Sequence, residues 1–140
     1  MSQFVLSFDT QDALAQRCAA TIASMLHDAD IVVPQQSWTL GSWKHYLHTV
    51  MAQAETIIVI LSKGYLTTKD SFVQQQRLFV EQVASRLLVV QLGNCQPWLS
   101  GESVLSEITA PLDFRSILAA EEDFRKDPFE SIRITPIANQ

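Results

Sequence analysis

Short apolar runs alternate with longer amphipathic stretches along the chain. Phe4-Val5-Leu6-Ser7-Phe8 predicts a strand, and Asp9-Thr10-Gln11-Asp12 supplies cap chemistry for a helix after it. In that helix Leu14, Cys18, Ile22, Met25 and Leu26 recur at helical spacing and predict one buried stripe. Ile31-Val32-Val33, closed by Pro34, predicts a second strand. The loop PQQSWTLGS leads to a second helix, with Ser42 as its expected N-cap and Trp43, Tyr46, Leu47, Val50, Met51 and Ala54 on one face. Ile57 to Leu61 is a continuous β-branched run, as in a strand buried on both sides. The chain then turns through Lys63-Gly64 into a helix carrying Gln74-Gln75-Gln76, with Phe72, Phe79 and Val83 as its core stripe. Leu87 to Leu92 predicts a fourth strand. Ile108 to Phe114 predicts a last one at the sheet edge, where the missing N–H of Pro111 does no harm. A short helix around 117–124 completes the pattern.

Strand–helix alternation with buried strands implies a single α/β domain whose parallel sheet is covered on both faces. In such folds ligands bind outside the carboxyl ends of the strands, where the strand order switches. That rule puts Ser7, Asp9, Ser62 and the start of the glutamine helix on one rim.

Composition narrows the chemistry. With 140 residues and 47% apolar content the chain is long enough for one real core. A net charge of −5 and the absence of basic runs argue against nucleic acid as a partner. No apolar segment approaches the ~20 residues that span a bilayer, so no membrane partner is expected. The N-terminus lacks a basic leader pattern. Cys18 and Cys95 form no close pair, which fits reduced thiols in a cytoplasmic protein. The four glycines stand apart, so no Gly-rich phosphate cradle can be drawn. His45 and His48 share a helix face without a third ligand nearby and read as solvated, with no metal site.

Several motifs, in order, carry a family resemblance. FVLSF is followed five positions after Ser7 by Asp12; a W-x-x-G loop follows at Trp38 to Gly41; then comes Leu61-Ser62-Lys63-Gly64-Tyr65-Leu66 at the end of the third strand. Asn94-Cys95-Gln96-Pro97 and Leu112-Asp113-Phe114 follow in turn. Together these resemble a TIR (Toll/interleukin-1 receptor) domain, closest to bacterial TIR-like domains. The resemblance implies a flavodoxin-like three-layer sandwich with a five-stranded parallel sheet of order 2-1-3-4-5. The likeness covers roughly residues 3–116, and the TIR-like domain is expected at residues 1–125, with 126–140 as a C-terminal extension or linker. A receiver domain fits less well, since the third strand ends in Ser62 where a receiver needs Asp.

Some TIR domains cleave NAD; others assemble with themselves and with other TIR domains. The enzymes carry a glutamate about twelve residues after the serine of the third strand, and here that count lands on Gln74. A carboxylate stabilises the cationic state that forms as nicotinamide leaves, and a neutral amide does not. Losing such a group removes about 3 kcal/mol or more of transition-state stabilisation. Glu81 and Asp70 are the alternative acids. Glu81 more naturally pairs with Arg77 at i, i+4, and Asp70 reads as a helix N-cap. The implied ligand contacts are Ser7, Asp9, Trp38 and Ser62. The implied assembly surface is Trp38, Thr39, Leu40 and Gly41, in a loop shorter than the family's and lacking its Pro and charge. The expectation is therefore a homotypic signalling domain of bacterial immunity that leans away from enzymatic activity. It requires no cofactor and admits NAD as ligand or substrate. The other reading is an NAD-cleaving effector that becomes active on assembly by using another acid.

Overall fold

A computed structural model describes residues 3–26, 30–35, 38–80, 82, 87–92 and 112–122. The elements run β1 (Gln3–Ser7), α1 (Ala13–Met25), β2 (Asp30–Val32), α2 (Leu40–His45), a π-helical turn (Tyr46–Val50), α3 (Met51–Gln53), β3 (Thr56–Leu61), α4 (Lys63–Thr67), α5 (Ser71–Val80), β4 (Leu87–Gln91), β5 (Leu112–Asp113) and α6 (Phe114–Ala119). The strands pair in parallel in the order β2-β1-β3-β4-β5. Four strands form the body of the sheet. The two-residue β5 joins its edge through Val90↔Leu112 and Gln91↔Asp113. This is the expected doubly wound parallel arrangement.

Alternation along β3 explains the layers. Successive side chains point to opposite faces. Ile58 and Ile60 therefore join Leu6, Leu88 and Val90 under α1 and α6, while Ile57, Val59 and Leu61 join Val5 and Val89 under the helices from α2 to α5. All six β3 residues are buried. A strand with no polar face must lie between two helical layers, because either face left in water would expose a continuous apolar row.

The helix starts follow their caps. Asp12 accepts from the backbone N–H groups of Leu14 and Ala15 and starts α1. The buried stripe of α1 runs through Ala15, Cys18, Ala19, Ile22 and Met25, with Leu26 buried just beyond. Leu14, expected in that stripe, is half-exposed. It lies one residue, or about 100°, away from Ala15 around the helix, and the small alanines let the helix sit close to the sheet. The second helix also starts earlier than expected. Thr39, not Ser42, accepts from the Ser42 N–H and caps α2, because Thr39 is extended while Leu40 already has helical geometry. Between α2 and α3 one turn widens, and the Met51 N–H donates to the Tyr46 carbonyl five residues back. In the expected third-helix stripe Phe72 is buried and Phe79 half-buried. Val83, Pro111, Glu81, Asn94 to Pro97 and the 126–140 extension lie outside the described residues.

Candidate functional site

The carboxyl ends of β1 and β3 lie side by side, with Ser7 paired to Val59 in the sheet register. This is where the strand order switches. Ser7, Asp9, Thr10 and Ser62 are all buried here, and Tyr65 of α4 and Gln76 of α5 reach Ser7.

The central group is Gln76, which is fully buried. Its Oε1 accepts from the Ser7 hydroxyl at 2.8 Å and from the Phe8 N–H at 3.2 Å. Ser7 Oγ also lies 2.9 Å from the Tyr65 hydroxyl. Having given its proton to Gln76, Ser7 accepts from Tyr65. The amide cannot be turned over, because its Nε2 would then face the Phe8 N–H, donor against donor. Fixed this way, Nε2 is buried without a hydrogen-bond partner among the described residues. The end of β1 thus meets a neutral amide whose acceptor capacity is already used.

Gln74 faces elsewhere. It is half-buried, and its Nε2 donates to the Thr68 carbonyl at 3.1 Å. Two residues along a helix is a rotation of about 200°, so Gln74 and Gln76 cannot serve the same face. The residue count from Ser62 selects Gln74; the structure brings Gln76 to Ser7. The signal that could have found it was the burial phase of Phe72, Val73, Gln76 and Val80 on α5.

The acids at the rim are engaged. Asp70 Oδ1 accepts from the Phe72 and Val73 N–H groups at 3.0 and 3.2 Å, the expected cap of α5. Its Oδ2 accepts from Gln11 Nε2 at 2.9 Å, tying the β1–α1 loop to α5. Asp9 Oδ1 accepts from the Gln11 N–H at 3.1 Å. Burial holds the Asp9 carboxyl above its ordinary value of 3.8; the Gln11 N–H opposes this, while Asp12 and Asp70 add to it. Gly64 makes the approach possible, since a Cβ there would stand 2.3 Å from Asp9 Oδ2. Ser62 caps α4, its Oγ accepting from the Tyr65 N–H at 3.2 Å.

Of the loop residues, Trp38 is half-buried and packs on Tyr46 and Phe72, with ring centroids 5.3 and 6.1 Å apart. Trp43, expected in the core, is likewise half-buried, 5.4 Å from Phe72. Thr39, Leu40 and Gly41 are exposed, Leu40 by 57%. His45 and His48 are exposed, and among the described residues no cluster of His, Cys, Asp and Glu could hold a metal ion. No described helix is long and apolar enough to cross a membrane.

No family model matches the chain, and no curated protein matches it. Among solved structures it is similar to the TIR domains of the activated Roq1 resistosome directly recognizing the pathogen effector XopQ. Identity is 12%, the TM-score is 0.47, and the match covers 95% of this chain and 80% of that one.

Proposed function

We propose that this chain is a TIR-type assembly domain whose rim has lost the acid needed to cleave NAD. The observation that carries this reading is Gln76. A neutral amide fills the buried position facing the end of β1, with its oxygen committed to Ser7 and Phe8. The nearby carboxylates of Asp70 and Asp9 are taken up by helix capping and a turn. A developing cation there meets no preorganised negative charge. The sequence motifs supply the family, and Gln76 takes the role that the residue count gave to Gln74. Ser7, Asp9 and Ser62 then serve as rim structure.

Self-association runs through Trp38, Thr39, Leu40 and Gly41. Leu40 projects from the first turn of α2, beside a half-buried tryptophan. An exposed aliphatic group next to an aromatic anchor suits a partner surface.

Two measurements test the reading. Sedimentation velocity over a concentration series should show association in the wild type that Leu40→Asp weakens at least about tenfold, a loss of roughly 1.4 kcal/mol. NAD turnover, measured at concentrations where the protein is associated, should be absent from the wild type. Gln76→Glu should gain turnover, whereas Gln74→Glu should not. Cleavage by the wild type would overturn the proposal and point to another acid, with Glu81→Ala and Asp70→Asn deciding between them. A wild type that stays monomeric throughout would overturn the assembly half.

A further inference from the structure

Four large aliphatic side chains stand about half in water among the described residues: Leu14 on α1, Leu40 on α2, Leu78 on α5 and Leu118 on α6. Single exposed leucines are ordinary on a protein surface. The charges around each one separate them.

Beside Leu40 the charges have one sign. Lys44 lies four residues on and is exposed, as are His45 and His48. The continuous helical segment from Leu40 to Gln53 holds no acid. Leu118 has the opposite surroundings. Glu121 and Glu122 follow it three and four residues later, and both are exposed. The one base within four residues, Arg115, is held by Asp113 at 3.4 Å. The other two leucines offer no such match. Near Leu14, Asp12 is committed to capping α1 and Arg17 lies three residues on. Arg77 and Glu81 flank Leu78 with charges that cancel.

The fold sets the two matching patches apart. The segment that begins with α2 packs Trp43, Tyr46 and Leu47 into the layer that includes Val32 of β2, at one edge of the sheet. α6 follows β5, the opposite edge, and buries Ile117 in the other layer. One copy therefore cannot close its own patches on each other, whereas a second copy can bring Leu118 and its acids to Leu40 and Lys44. Two α2 patches facing each other would set Lys44 against a surface with no acid, and like charges disfavour a contact.

We propose that self-association is head-to-tail, the Leu40–Lys44 patch of one copy docking on the Leu118–Glu122 patch of the next. This deepens the assembly reading and rests on it. The leucines supply apolar contact, and Lys44 meets Glu122 at the polar rim. Every dimer keeps one unused patch of each kind, so further copies add until an open chain or a closed ring results.

Sedimentation velocity on the full chain tests this with two variants that each block one patch, Leu40→Asp and Leu118→Asp. Each alone should associate at least about tenfold more weakly than the wild type. Mixed one to one, they should form a dimer and nothing larger, because the intact α2 patch of one meets the intact α6 patch of the other. Lys44→Glu and Glu122→Lys should each weaken association about two- to fivefold, the range of an exposed ion pair, and restore it when combined in one chain. Association of Leu118→Asp at wild-type strength would overturn the head-to-tail contact and leave assembly through Leu40 standing. So would a mixture that stays monomeric where the wild type associates. A wild type that stays monomeric throughout overturns both readings. Should Leu118→Asp not fold, the charge pair decides, and no recovery in the Lys44→Glu, Glu122→Lys chain overturns the proposal.

Discussion

Gln76 is fully buried, yet its amide nitrogen finds no hydrogen-bond partner among the described residues. Gln76→Leu leaves the Phe8 N–H buried without an acceptor, and such a group costs about 1–3 kcal/mol. Calorimetry should show that loss, and Gln74→Leu, which gives up one half-buried bond to Thr68, should lose less. Gly64→Ala forces a Cβ against Asp9 Oδ2, an overpacking worth about 1–3 kcal/mol. Combining it with Asp9→Ala removes the atom in the way, so the double variant should be more stable than the sum of the two single losses. Asp9 itself predicts a pH effect. Its folded pKa is raised, chiefly by burial. The folded state therefore holds the proton more tightly than the unfolded chain does, and stability is lost as pH rises through the folded value. Asp9→Asn keeps an acceptor for the Gln11 N–H without the charge. It should raise the melting temperature at neutral pH, and that gain should shrink toward acid, where wild-type Asp9 is protonated. An advantage that grows toward acid would refute the assignment.

The elements obey local rules until packing intervenes. Asp12, Thr39, Ser62, Asp70 and Asp113 each accept from the backbone N–H groups of a helix start. Residues of this kind before an apolar stripe are the strongest local signal for a helix. The π-helical turn carries no such signal, because Tyr46-Leu47-His48-Thr49-Val50 reads as ordinary amphipathic helix. Fixing Tyr46 to Leu6 while Leu47 and Met51 stay buried uses one residue more per turn than an α-helix provides. At the start of this helix Gly41→Ala should stabilise the protein by up to ~1 kcal/mol, since the new methyl meets nothing and glycine's extra unfolded-state entropy is removed. Chemical denaturation would measure the gain, and a loss would show that Gly41 has a packing role.

At the scale of the whole molecule, the sheet divides the core into two apolar layers that seal its centre. Cys18 sits in the layer under α1, and burial pushes its thiol up to about 12. At neutral pH it should react with a disulfide reagent only when the chain unfolds. Its labelling rate should then match global unfolding and rise steeply in denaturant. Fast labelling in buffer would mean that α1 opens by itself.

The sequence alone determined the parallel α/β architecture, because β-branched runs and 3.6-residue stripes are periodicities that each segment carries within itself. It also determined that Ser7, Asp9 and Ser62 share a rim, since the ends of parallel strands lie together whatever the details. Asp70 was legible as a cap for the same local reason. Tertiary structure decided which glutamine faces Ser7, because a count along a loop and a short α4 does not fix the rotation of α5 about its axis. It decided that Leu14 is exposed and that Gly64 serves Asp9, because both depend on contacts between segments far apart in the chain.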